Sequence, residues 1–185
     1  MNMKTKVIVL LGPSGSGKDT ILKLALDNIP EVSGVVGYTT RPPRDYEIEG
    51  KDYYFIDYET YTYKLLSGEL LEGVVYNGWG YGTDTNCYSK NKINIATLPP
   101  ARINLLIENS DFEVYPILIE TSDKTRLIRQ LTREDNPDIE EIIRRYGTDK
   151  EDFENLPFEY ETIKNEYPED LATAISRLRS LVKNM

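Results

Sequence analysis

The chain has 185 residues, 39% hydrophobic and 29% charged, with a net charge of −9; this fits one globular domain and argues against a partner nucleic-acid polymer, which needs a basic face. It has no histidine and one cysteine, Cys87, which excludes imidazole bases, Ser-His triads, histidine metal sites and internal disulfides. No apolar run approaches the roughly 20 residues of a membrane span and no secretory leader is visible, so the expected setting is cytoplasmic, without a membrane partner.

In chain order, residues 7–11 (VIVLL) read as a buried strand, followed by a glycine-rich turn and a helix over about 17–27 with Ile21, Leu22 and Ala25 on one face. Pro30 closes that helix region. Residues 34–90 differ in composition: they are rich in Tyr and Gly, with DYYFID and LLEGVVY as strands and a helix over 57–66 between them. Alternation then resumes, with KINIA a strand, 99–108 a helix, VYPILIE a strand and 122–131 a helix. After the polar turn REDNPD, Ile139, Ile142, Ile143 and Tyr146 recur at helical spacing, leaving Arg144 and Arg145 on other faces. YETIK reads as a last strand, and Leu171, Ile175, Leu178 and Val182 as the apolar face of a closing helix. Strands alternating with helices predict an α/β fold built on a parallel sheet.

The turn GPSGSGK carries the first chemistry. Glycines let backbone amides turn inward and approach phosphate oxygens, the following helix adds its positive end, and Lys18 supplies a point charge. A nucleoside triphosphate is the expected ligand. A Ser or Thr normally follows the lysine and binds magnesium, but here Asp19 does. Three readings are open: Thr20 serves, the Asp19 carboxylate holds magnesium directly or through water, or Asp19 only complements the helix dipole.

A second group of residues suits an acceptor phosphate. Arg41 and Arg44 are held three apart by Pro42 and Pro43, so two guanidinium forks are pre-set toward one doubly charged monophosphate. Tyr53 and Tyr81 offer phenol donors to the same phosphate. Glu72 is suited to accept from a purine N1–H and exocyclic amine, with Thr83 offering a hydroxyl to the base. Each also fits a plain packing or surface role.

The loop GPSGSGKDT, then TTRPPR, EGKDYYF, ELLEG and YGT, in this order and spacing, resembles the guanylate kinase family over essentially the whole chain. The resemblance implies a P-loop NTPase-type parallel sheet flanked by helices, carrying an inserted mixed α/β subdomain that binds a nucleoside monophosphate, and a small lid. One domain over 1–185 is implied, with its core at 1–33 and 91–185, the insertion at about 34–90 and the lid at about 133–138. It further implies transfer of the γ-phosphoryl group of ATP, with Mg²⁺, to GMP or dGMP, by a monomer or homodimer. ATP contacts fall on Ser14, Gly15, Ser16, Gly17, Lys18, Asp19, Thr20 and Arg129, with metal contacts on Asp19 and Thr20. GMP contacts fall on Arg41, Arg44, Tyr53, Glu72, Tyr81, Gly82 and Thr83. Lys18, Arg41, Arg133 and Arg145 are the expected catalytic group. Because phosphoryl transfer rests mainly on positioning and charge neutralisation, a chain without histidine is not handicapped.

The chain departs from the family pattern in two places. Gly37 stands where the family has a base-reading serine, and Asn94 and Ala96 stand where it has Asp-x-Asp. Asp19 is therefore expected to restore a negative charge beside the metal. Ribose 1,5-bisphosphate kinases are similar in the acidic residue after GSGK and in lacking Asp-x-Asp, which keeps that activity, and a different or modified nucleotide acceptor, as alternatives. A binding module without chemistry is the remaining alternative, and intact Lys18 and its glycines argue against it.

Overall fold

The computed structural model describes residues 4–43, 47–76, 78–133 and 135–185. Arg44 and position 134 of the expected lid lie outside them.

Strand β1 (Thr5–Leu11) is the centre of the molecule, and most of its side chains have no solvent exposure. It pairs in parallel with β7 (Ile93–Thr97) on one side and β8 (Phe112–Glu120) on the other. The outer neighbours are β2 (Val32–Gly34) and β9 (Glu161–Lys164), giving a five-stranded all-parallel sheet in the order β2-β7-β1-β8-β9. Strand alternation divides β1 between two cores. Ile8 and Leu10 join the cluster beneath α1 (Lys18–Asn28) and α6 (Asp170–Asn184), while Val7, Val9 and Leu11 join the cluster with Ile103 and Leu106 of α3 (Pro100–Glu108). A strand buried on both faces must be apolar throughout, which is why VIVLL shows no alternation.

A second, mixed sheet lies within residues 38–82, in the order β4-β3-β6-β5. It comprises β3 (Tyr38–Thr39), β4 (Tyr54–Phe55), β5 (Val74–Tyr76) and β6 (Trp79–Gly82), with β3 parallel to β4 and β6 antiparallel to both β3 and β5. Helix α2 (Tyr58–Leu66) covers it through Tyr61, which is 1% exposed and donates its hydroxyl to the Val74 carbonyl at 2.9 Å. Asp57 caps that helix by accepting from Thr60 N.

The expected parallel α/β core is present, with small differences in extent. DYYFID and LLEGVVY contribute only the short strands β4 and β5, and β2, β3 and β6 are additional to the sequence reading. These strands run two to four residues and include glycines, too short for a period of two to register. Helices α4 (Asp123–Leu131) and α5 (Ile139–Glu154) flank the polar turn, capped by Ser122 and Asp138. Among the described residues, no helix is long and apolar enough to cross a membrane.

Candidate active site

The loop after β1 lies at the carboxyl end of the central strand, where open parallel sheets place their ligands. Its shape depends on two left-handed glycines, Gly15 at φ +80° and Gly17 at φ +88°. A Cβ on Gly15 would lie 2.5 Å from the Arg126 carbonyl oxygen, and one on Gly17 would lie 2.3 Å from Asn165 Nδ2. No larger residue fits at either position without displacing a neighbour.

Outward-facing carbonyls of the loop are held from behind. Asn165 Nδ2 donates to the Ser16 carbonyl at 2.7 Å and Thr121 Oγ1 donates to it at 3.1 Å. Arg126 Nε donates to the Ser14 carbonyl at 3.0 Å, and its Nη2 meets Asp149 at 2.8 Å. Asp149 in turn accepts from the Ser14 amide at 2.7 Å. Arg126 and Asp149 thus clamp the loop between α4 and α5. Neither was singled out from sequence, although Arg126 lies one helical turn before Arg129 on the same face.

Two clefts open on this loop. One, of about 670 Å³, is lined by the loop, Thr20, Arg129 and Arg133. The other, of about 720 Å³, runs toward the mixed sheet and is lined by Arg41, Tyr53, Tyr81 and Arg102, among others. Ser14, Lys18, Asp19, Glu141 and Arg145 line both. Of the expected ATP residues, Ser14, Gly15, Gly17, Lys18, Asp19, Thr20 and Arg129 are gathered around one cavity, with Arg41, Tyr53 and Tyr81 around the next, whereas Ser16 is fully buried and lines neither.

Arg41 is already paired: Nη2 meets Glu47 Oε1 at 2.7 Å, and its guanidinium lies 5.8 Å from the Tyr53 ring centre. Tyr53 and Tyr81 pack edge to face at 6.1 Å. Burial raises the Tyr53 hydroxyl above its ordinary range, so it remains a proton-bearing donor. Glu141, unforeseen from sequence, accepts from Arg144 and Arg145, each at 2.6 Å from Nε. Hydrogen bonding by Arg144, opposed by some burial and reinforced by Arg145, lowers its pKa to about 2. A phosphate entering the larger cleft would meet both arginines already facing one carboxylate, and Arg145 is reached from the smaller cleft as well.

Glu72, Gly82 and Thr83 are not part of either cleft wall. Glu72 is 0% exposed and accepts from Thr83 N, Thr83 Oγ1 and Arg102. Thr83 Oγ1 also lies 2.9 Å from the Tyr88 hydroxyl. In this conformation the expected base-reading pair is turned into the protein and occupied. The sequence offered no sign of Arg102, because its partner Glu72 lies 30 positions away.

No group of three or more metal-ligating side chains occurs among the described residues. Asp19, exposed and shared by both clefts, is a single carboxylate. Such a donor set fits magnesium that arrives with nucleotide phosphates and keeps its waters, not a protein-built cage.

The sequence model of the guanylate kinase family matches residues 4–185. The chain belongs to this family. Similar curated members are the guanylate kinases of Trichodesmium erythraeum, 47% identical over 78 residues and covering 42% of each chain, and Thermotoga maritima, 43% identical over 81 residues, 44% of this chain and 39% of the other. The aligned part spans about two fifths of these relatives' length. Among solved structures, the guanylate kinase of Anaplasma phagocytophilum superimposes with a TM-score of 0.70 over 100% of this chain and 88% of the other, at 24% identity. That likeness establishes the fold.

Proposed function

We propose that this family member is an ATP-dependent nucleoside monophosphate kinase, moving the γ-phosphoryl group of ATP to GMP or dGMP and releasing ADP. One observation carries this reading: the two clefts meet at Lys18, Asp19 and Arg145. A triphosphate in the smaller cleft and a monophosphate in the larger would bring donor and acceptor oxygens together over a floor that carries Lys18 and Arg145 beside the carboxylates of Asp19 and Glu141.

In this reading the loop amides and Lys18 hold the donor phosphates, with Arg129 and Arg133 along them. Arg41, Tyr53 and Tyr81 hold the acceptor phosphate, joined by Arg44. Arg145, at the shared wall, neutralises charge on the group in transit, which is most of what this chemistry asks of a protein. Magnesium, held by Asp19 and Thr20, would supply further neutralisation of the donor phosphates when bound. The segments at about 34–90 and 133–138 close over the substrates and exclude water, which would otherwise waste the phosphoryl group.

A non-nucleotide acceptor such as ribose 1,5-bisphosphate is the second reading, favoured by the occupied Glu72. ADP release from Mg·ATP, measured with GMP, dGMP, AMP, dTMP, UMP and ribose 1,5-bisphosphate, separates the two. Turnover confined to GMP and dGMP is expected. Turnover of the sugar bisphosphate alone would move the chain to the second reading, and ATP binding without any turnover would count against both.

A further inference from the structure

Arg102 enters from α3 just beyond the strand that carries Ala96, and it is 4% exposed. Its Nη2 donates to Glu72 Oε1 at 2.7 Å. Thr83 Oγ1 donates to the same oxygen at 2.7 Å, and Thr83 N donates to Oε2 at 2.8 Å. A carboxylate has about four lone-pair sites. These three donors leave one, on Oε2. A guanine edge needs two, for N1–H and for its 2-amino group. The guanidinium is planar and presents N–H donors much as that edge does. Arg102 thus gives Glu72, from within the chain, a partner that guanine would otherwise provide.

No carboxylate from β7 restores the lost reading. Ala96 packs in the apolar cluster, and Asn94 is engaged with Ser89, accepting from its amide at 2.7 Å and donating to its carbonyl at 2.9 Å. Arg102 also has unused capacity. Its Nε is buried without a partner among the described residues, and the residue forms part of the large cleft's wall near Arg41 and Tyr53. A buried donor left unmatched is costly, and a ligand acceptor atom would relieve that cost.

We propose that Arg102 is the specificity-determining residue of the acceptor cleft: it occupies the carboxylate suited to the N1–H and 2-amino edge, and offers its remaining donors to acceptor atoms of the base. The inference rests on the nucleoside monophosphate kinase reading. The substrate class is then 6-oxopurine nucleoside monophosphates, with or without the 2-amino group. O6 and N7 are the acceptors a guanidinium grips, whereas the 6-amino group of adenine opposes donor with donor.

The test is kcat/KM with Mg·ATP for GMP, IMP and AMP, in the native chain and in Arg102→Met. The native chain is expected to use GMP and IMP within about tenfold of each other and AMP at least about 100-fold less well. In Arg102→Met, Glu72 regains its lone pair and GMP should gain on IMP by about tenfold. A native preference for GMP over IMP beyond about tenfold, or AMP used as well as GMP, overturns the inference and leaves the kinase reading standing. A folded Arg102→Met with an unchanged GMP:IMP ratio also overturns it, and if that variant does not fold, the native ratios decide alone. No ADP release with any acceptor overturns the kinase reading and this inference with it.

Discussion

Arg41 and Asp19 are the residues whose chemistry separates the two halves of the proposed reaction. Arg41 lines only the larger cleft, where its guanidinium is shared between Glu47 and the Pro42 carbonyl. Arg41→Ala should therefore raise the acceptor KM by about 100-fold, the loss of a charge-assisted contact, while ATP binding changes little. Equal loss for both nucleotides, read by steady-state kinetics, would remove Arg41 from the acceptor site. Asp19 touches both clefts and stands where a hydroxyl is usual. If it compensates for Ala96 beside the metal, Asp19→Asn should raise the Mg²⁺ concentration for half-maximal rate by about tenfold or more. An unchanged Mg²⁺ titration would return Asp19 to a helix-dipole role.

At the scale of elements, α4 and α5 keep the phosphate loop in shape. Arg126 is 4% exposed and bridges Asp123, Asp149 and the Ser14 carbonyl. Arg126→Met leaves Asp149 without its cation, and removing one partner of a buried pair costs about 3–5 kcal/mol. Urea denaturation should show that loss, and adding Asp149→Leu should recover part of it. A cost below about 1 kcal/mol would mean the pair is solvated like a surface salt bridge.

The start of α4 has a pH dependence of its own. Glu166 accepts from Ser122 Oγ, Thr125 Oγ1 and Ser122 N. Those bonds, the Ser122 hydroxyl first, lower its pKa from 4.5 to about 2. A carboxylate depressed on folding contributes stability that is complete above its unfolded value and is lost as pH falls through its folded one. The acid limb from pH 4.5 toward 2 should thus be shallower in Glu166→Gln than in the native chain. Superimposable limbs in thermal melts would show that the three bonds do not outlast solvent competition.

Across the whole molecule, what could be read from sequence was what local order encodes. VIVLL followed by GPSGSGK announces a strand, a loop and a helix in consecutive residues, and β1, the loop and α1 stand where that reading puts them. The mixed sheet was legible only in outline, because β3 and β4 are two residues each and are defined by partners at positions 81 and 82 and at 38 and 39. Arg102, Arg126 and Glu141 carried no signal, since an arginine or glutamate on a helix is ordinary until its partner is known. Glu72 was read as open to a ligand because a sequence shows its charge but not the Thr83 and Arg102 donors that turn it inward.

On the proposed reading, two nucleotide clefts share one floor at Lys18, Asp19 and Arg145. An adenosine and a guanosine joined through their 5′ positions by a chain of five phosphates make a single molecule able to fill both clefts, and inhibition by it decides the matter. It should inhibit ADP release competitively against ATP and also competitively against GMP, and bind more tightly than either nucleotide. Competition with ATP alone would mean that the larger cleft does not take the acceptor and that the two clefts do not serve one reaction.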